Sequence, residues 1–374
     1  MERLHIAILG PVNSGKSTLV NALCGQEVSL VSPVAGTTTD PVRKAAELPG
    51  LGACLLIDTP GTGDGTPLGA ERQRLMEKVL DQADVAVILG GGPAPEGIPA
   101  VHYDGEGIET LLRRIREVVP DREEKYLTGE LVRPGDTVLL VMPQDSEAPK
   151  GRLILPQVQV LRELLDRGCN ALCCQPSGLQ AALEGLREHP ALVITDSQAF
   201  KAVNAILPKE VPLTSFSILL AAAKGDIRTF VEGARAIDAL RPGDRVLIAE
   251  ACTHVPDTED IGRVKIPALL RRRVAQIPEQ VRNDGHEVRE DGHEVRNDGH
   301  EVREDGLKID IAAGNDFPED LSPYRLIVHC GACVAAPRLV RARTEKALRA
   351  GVPITNYGIA LAFLQGILER VTLP

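Results

Sequence analysis

Two short stretches of this 374-residue chain could do chemistry, one near each end. The first, Gly10-Pro-Val-Asn-Ser-Gly-Lys-Ser17, fits G-x-x-x-x-G-K-S/T and stands between an apolar strand pattern and a helical one. In that context the glycines turn backbone N–H groups toward phosphate oxygens. Lys16 offers a point charge to the β- and γ-phosphates, and Ser17 can ligate Mg²⁺. The candidate nucleotide contacts are Gly10, Asn13, Ser14, Gly15, Lys16, Ser17 and Thr18. The second stretch is "IVHCGACV". Cys330 and Cys333 are spaced to face one metal across a tight turn, with His329 adjoining. A matching half is "ACTH", which puts Cys252 and His254 just past a strand pattern. Residue types alone leave zinc and an iron–sulfur cluster equally open.

Between the two lie the parts of a switch. "GTTTD" places Thr38 where a loop could reach the γ-phosphate and Mg²⁺. "DTPG" follows a strand pattern, so Asp58 can hold Mg²⁺ through water and the Gly61 N–H can sense the γ-phosphate. The ordered trio reads as a Ras-like GTPase, with Lys16, Thr38 and Gly61 as its catalytic set. Two features depart from that pattern. No Asn-Lys-x-Asp element reads guanine, because the chain passes from "DVAVILGGGPAPEG" to "IPAVHYDGEGIETLL" with too few residues for the missing strand and helix. Thr62, not a water-orienting Gln, follows Gly61. Asn13 stands where potassium-activated GTPases place a K⁺ ligand, and a loop-stabilising Asn would serve there equally well.

The elements that must position these residues alternate. Apolar runs at "LHIAILG", "ACLLIDTPG" and "DVAVIL" are separated by helical patterns, which argues for a parallel α/β sheet. A second strand–helix alternation runs from "DTVLLVMP" to "KEVPLT", and a third region opens on a helical "SFSILLAAAKGDIRTFVEGARAIDAL". The fold class read from this is α/β: a shortened P-loop GTPase domain over 1–120, then two smaller α/β domains over 121–211 and 212–374. Cys24, Cys54, Cys169, Cys173 and Cys174 lie in apolar surroundings and read as core. Residues 281–306 repeat "VRNDGHE/VREDGHE" with one apolar residue per seven, too few for a coiled-coil seam. They read as a solvated, disordered insertion rather than a histidine metal tract.

Composition narrows the function classes. A net charge of −10 opposes a nucleic-acid face, and 2% aromatics oppose base stacking. No apolar run is long enough to span a bilayer, and the chain enters a strand pattern without a signal peptide. Eight cysteines at irregular spacing suggest reduced thiols or metal ligands in the cytoplasm.

These residues carry a resemblance. The chain is similar to the FeFe-hydrogenase maturation GTPases of the HydF family across nearly its whole length. The shared stretches include the P-loop with Asn13, "GTTTDPV", "DTPG", "LVRPGDTVLLVMPQDSEAPKGRLILPQVQ", "EACTH", "EDIGRVKIP", "DFPEDLSPYRLIVHCGACV" and "GVPITNYGIALAFLQG". The family's cluster motif is C-x-H, a spacer of about fifty residues, then H-C-x-x-C. Here 74 residues separate His254 from His329, and without the 26-residue repeat 48 remain. The resemblance implies a GTPase domain, a dimerisation domain and a cluster-binding domain, assembled as a homodimer or tetramer. It implies a 4Fe-4S cluster on Cys252, Cys330 and Cys333, with His254 or His329 as a labile fourth ligand or a supporting group. At the nucleotide end the cofactors expected are GTP and Mg²⁺, with K⁺ one of the two readings of Asn13. As cargo the resemblance implies a di-iron precursor, received from radical-SAM maturases and delivered to apo-hydrogenase. Two other readings compete: an RNA- or ribosome-associated GTPase with a structural zinc, and an electron carrier with a degenerate nucleotide site.

Overall fold

The computed structural model describes residues 3–24, 42–61, 69–119, 126–144, 153–251, 260–276, 306–314, 316–333 and 335–374. Two compact units result, one of residues 1–125 with 335–342 and the other of 126–334 with 343–374. The first unit runs β1 (Leu4–Leu9), α1 (Lys16–Cys24), β2 (Val42–Leu48), β3 (Gly52–Asp58), α2 (Gly69–Leu80), β4 (Val85–Leu89), β5 (Ala100–Tyr103) and α3 (Ile108–Val118). Its sheet has the order β2-β3-β1-β4-β5, parallel except for β2. β1 is apolar at nearly every position because both faces of a central parallel strand are covered. Ile6 and Ile8 pack on one face with Leu56, Leu111 and Ile115. Ala7 and Leu9 pack on the other with Ile57, Val79 and Ile88.

β4 and β5 pair in parallel, yet only residues 90–99 join them. Parallel neighbours are usually linked through a helix over a dozen or more residues. Gly90 and Gly91, with φ of 73° and 72°, turn the chain back at the end of β4. Ile98 fills part of the face where a helix would lie. The described strands of this unit form a five-stranded sheet with β5 at its edge.

The second unit carries two four-stranded parallel sheets. The first has β6 (Thr137–Val141), α4 (Leu155–Asp166), β7 (Asn170–Cys174), α5 (Leu179–Glu184), β8 (Leu192–Thr195), α6 (Phe200–Ile206), β9 (Leu213–Ser215) and α7 (Phe216–Lys224). Next come α8 (Ile227–Arg235), β10 (Arg245–Ala249), α9 (Ile266–Ala275), β11 (Lys308–Ala312), β12 (Leu326–His329), α10 (Pro337–Arg349, of which residues 337–342 are counted with the first unit), β13 (Ile354–Asn356) and α11 (Tyr357–Leu364). The orders are β7-β6-β8-β9 and β11-β10-β12-β13, one topology used twice. β9 pairs with β8, so the first of these sheets draws its edge strand from beyond residue 211.

With the strands matched, the sequence repeats as well. "RPGDTVLLV" (133–141) faces "RPGDRVLIA" (241–249), "GRLILP" faces "GRVKIP", and "VPLTSFSILL" (211–220) faces "VPITNYGIAL" (352–361). The geometry repeats too. In each copy the Asp N–H donates to the Arg carbonyl at 3.1 Å, and an Asp carboxylate accepts the Arg N–H at 2.7 Å. Gly135 and Gly243 take φ of 90° and 87°, as the third position of a type II turn after Pro requires. Ser215 and Asn356 hold equivalent places and each N-caps the next helix.

Two readings of the sequence are corrected here. The helical stretch after Thr214 is two helices, broken at Gly225, with Asp226 capping α8 through the Arg228 N–H at 3.0 Å. Cys173 is exposed, because β7 is the open edge of its sheet and Leu172 beside it is exposed too. Among the described residues no helix is long and apolar enough to cross a membrane. The repeat at 281–305 lies outside the described residues.

α8 lies directly on β13. A Cβ on Gly233 would stand 1.9 Å from the Ile354 carbonyl oxygen, and Thr355 Oγ1 donates to the Phe230 carbonyl at 2.8 Å. Gly233→Ala must push α8 off the sheet. The expected cost is about 1–3 kcal/mol, the usual range for overpacking, read as a lower urea midpoint; an unchanged midpoint would contradict the close approach.

Candidate nucleotide and metal sites

The P-loop leaves β1 at Gly10 and re-enters regular structure at Lys16. Asn13 and Gly15 have φ of 62° and 87°, so successive N–H groups can line a concave nest. Lys16 is buried and donates to the carbonyls of Gly10 (3.0 Å) and Pro11 (2.7 Å), which stretches it across the loop. Burial lowers its pKa, opposed by the nearby Asp58 carboxylate. Ser17 Oγ donates to Asp58 Oδ2 at 2.6 Å, so the two expected Mg²⁺ groups reach one point. Gly61 sits on the loop: a Cβ there would be 2.6 Å from Val12 Cα. Asn13 and Thr18 are exposed, and Ser14 is half-buried. Thr38 and Thr62 lie outside the described residues.

The cysteine turn grows from the carboxyl ends of β10 and β12, where open α/β sheets place their ligands. The Cys330 N–H donates to the Ala249 carbonyl at 2.9 Å, which locks the turn to β10. Cys330 Sγ in turn accepts the N–H groups of Ala251 (3.1 Å) and Ala332 (3.4 Å). Ala251 is the last described residue before Cys252; Cys252 and His254 lie outside the described residues. Ala332 has φ of 49°, a left-handed conformation that costs a β-carbon-bearing residue about 1–2 kcal/mol. Lys224 Nζ donates to the Ala332 carbonyl at 2.8 Å and the Cys333 carbonyl at 3.4 Å.

Under the turn is a buried polar knot. His329 Nδ1 lies 2.8 Å from the Cys330 carbonyl, which can only accept, so Nδ1 carries the proton. Nε2 then accepts from Arg343 Nη1 at 3.2 Å. Burial, aided by the Arg343 charge and opposed by the Cys330 carbonyl, takes the His329 pKa down to about 3, and the ring stays neutral. Arg343 also donates to the Glu250 carbonyl at 3.1 Å and to the Gly314 carbonyl, and stacks 4.9 Å from the centre of Phe317. The Glu250 carboxylate is held by two bonds from Arg263, at 2.8 and 3.2 Å. The Tyr357 hydroxyl is buried without a hydrogen-bond partner among the described residues. Burial, then the neighbouring Cys330, Glu250 and Asp260, raise its pKa, so it remains a proton donor.

The structure thus brings His329, Cys330 and Cys333 together at one turn and Lys16, Ser17, Asp58 and Gly61 at one loop. Lys224, Arg343 and Glu250 were not singled out by sequence reasoning. Lys224 and Glu250 adjoin the apolar runs "FSILLAAA" and "VLIA", whereas Arg343 stands in a helix rich in charges and carries no such signal.

Fold and site define a P-loop GTPase domain followed by two parallel α/β modules with a thiol turn. The model of the hydrogen maturase F dimerization domain matches residues 127–225, and that of its tetramerization domain matches 228–297 and 299–374. A third model, for a 50S ribosome-binding GTPase, matches 5–124. The chain belongs to the hydrogen maturase F family, whose members are hydrogenase maturation GTPases. Among curated relatives, the tRNA modification GTPase MnmE of Methylobacterium sp. (strain 4-46) is 40% identical over 107 residues, which cover 27% of this chain and 24% of that one. The same enzyme from Xanthomonas oryzae pv. oryzae (strain MAFF 311018) is 36% identical over 113 residues, covering 30% and 25%. The chain thus spans about a quarter of the length of these relatives. Among solved structures, Aquifex aeolicus Era bound to GDP·AlF₄⁻ aligns at 19% identity and a TM-score of 0.25, over 63% of this chain and 68% of that one.

Arg343 satisfies two buried acceptors, the Glu250 carbonyl and His329 Nε2, and a half-buried one, the Gly314 carbonyl. Leaving a buried acceptor unpaired costs about 1–3 kcal/mol each. Arg343→Met is expected to destabilise the metal-free chain by about 2 kcal/mol or more on that account. Urea unfolding measures it, and a loss below about 1 kcal/mol would contradict the assigned network.

Proposed function

We propose that this chain is a maturation scaffold for FeFe-hydrogenase. It holds a 4Fe-4S cluster, receives a di-iron precursor from radical-SAM maturases and delivers it to apo-hydrogenase, with GTP binding and hydrolysis as the switch. The observation that supports this most directly is the cysteine turn. Cys330 Sγ accepts two backbone N–H bonds, one of them from the residue that precedes Cys252. Such donors stabilise a thiolate, the form that binds iron. The orphaned Tyr357 hydroxyl beside them also fits a site built for a further acceptor. Cys252, Cys330 and Cys333 would hold the cluster, which when bound offers one iron with an exchangeable position.

The chain's own groups then have defined tasks. His329 has both ring nitrogens engaged and supports the turn from below; His254 is the remaining candidate for a labile fourth ligand. Lys16 and the loop N–H groups hold the phosphates, and Ser17, Thr38 and Asp58 hold Mg²⁺. The Gly61 N–H meets the γ-phosphate and orders its segment when GTP is present. Asn13, exposed on the loop with its left-handed backbone, is the ligand for a K⁺ that supplies the charge of an arginine finger. Base selectivity is weak and hydrolysis slow, because residues 90–99 replace the guanine-reading strand and helix.

The proposed division is a GTPase domain, a dimerisation domain ending after α7, and a cluster-binding domain interrupted by the 281–306 repeat. The open edge at β7, with Leu172 and Cys173 exposed, suits pairing with a second copy. The reduced thiols this chemistry needs place the protein in the cytoplasm.

Iron, sulfide and zinc content after anaerobic reconstitution tests the scaffold reading. About four irons and four sulfides per chain are expected, lost in Cys330→Ser. Stoichiometric, exchange-resistant zinc with no cluster signal would instead favour an RNA- or ribosome-associated GTPase with a structural zinc. For the nucleotide end, GTP hydrolysis is expected to be faster in K⁺ than in Na⁺, with the difference abolished in Asn13→Ala. Equal rates in the two salts would remove K⁺ from the mechanism.

A further inference from the structure

The duplicated module exposes what is special about its second copy, and one residue there comes from the first. Lys224 is the last residue of α7, within the stretch matched by the dimerization-domain model. Its side chain is 3% exposed. It reaches 108 residues along the chain to bond the carbonyls of Ala332 and Cys333. Those carbonyls belong to the left-handed residue of the Cys-x-x-Cys turn and to its second cysteine. At the equivalent place after the second "VP-L/I-T" strand stands Gln365, at the end of α11. The fold therefore accepts a neutral amide at this position, and it uses a buried ammonium only where the helix meets the cysteine turn.

We infer that Lys224 is a positioning residue for the metal site: the dimerisation module grips the cysteine turn of the cluster-binding module and places a fixed positive charge behind it. The inference rests on the cluster reading above. Two consequences follow from the contacts. The turn is held in a conformation with φ of 49° at Ala332 by a bond to that residue's own carbonyl. A positive charge at this distance also favours the more negative, reduced state of whatever the thiolates bind, since burial screens it less than water would.

The test uses the full chain, reconstituted anaerobically as wild type, Lys224→Gln and Lys224→Arg. Iron content and the midpoint potential of the bound cluster, followed by EPR during a redox titration, are the readouts. The expected result is a lower midpoint in Lys224→Gln at undiminished iron content, restored in Lys224→Arg. Loss of iron in Lys224→Gln alone, regained in Lys224→Arg, would support the gripping role through the same contact. A cluster with wild-type content and midpoint in Lys224→Gln overturns the inference, and so does an equal shift in both variants. Wild-type chain that takes up no iron would sink the cluster reading itself, and this inference with it. Iron uptake by the wild-type chain therefore separates the two failures.

Discussion

In a parallel sheet every strand must be followed by a return path across one face, and the returns cover both faces. What stays open is the row of strand carboxyl ends. Among the described residues, the P-loop, Asp58, Glu250 and Cys330 stand on that row. Gly10 to Ser17 follow β1, Asp58 ends β3, Glu250 follows β10 and Cys330 follows β12. The cysteine turn is anchored there by a main-chain bond from the Cys330 N–H to the Ala249 carbonyl and by a bond from the Ala251 N–H to the Cys330 sulfur. Packing below the turn then has to satisfy buried polar atoms, and Arg343 does so for His329, Glu250 and Gly314 together.

One four-stranded topology occurs twice in the second unit, with differences confined to particular positions. Both copies keep the Arg-Pro-Gly-Asp turn, the Val-Pro entry to the fourth strand and a polar N-cap after it. These are the positions that make the fold. They differ where strand ends meet the site. Thr195-Asp196-Ser197 in the first copy corresponds to His329-Cys330-Gly331 in the second, and Phe216 corresponds to Tyr357. The first copy's strand end closes on itself through the hydroxyls of Ser197, Ser215 and Ser217, bonded to one another at 2.5–3.2 Å. The second presents thiols instead.

The nucleotide end shows the opposite economy. The five-stranded sheet carries an apolar cluster on each of its two faces. Gly90 and Gly91 reverse the chain in place and Ile98 joins the core. Phosphate and Mg²⁺ groups on β1 and β3 are untouched, because they lie on the other side of β4.

Much of this was legible in the sequence. The P-loop, the Asp58 turn and the Cys-x-x-Cys turn are local motifs, whose geometry follows from a few adjacent backbone torsions and residue types. The shortened connection after β4 was legible by counting. The duplication was present but hidden, because the matching stretches drift from 108 residues apart (Arg133 to Arg241) to 141 (Val211 to Val352). Only strand pairing supplied the register. Tertiary structure alone decided which charges are buried. Lys224, Glu250 and Arg343 look like ordinary surface residues until helices and strands far apart in sequence close over them. It also decided that Cys173 faces outward, since apolar neighbours in sequence say nothing about whether a strand lies at the centre of its sheet or at the edge. Sequence determines local chemistry through torsions and spacing. Burial, and the partner each charge finds, are properties of the packed whole.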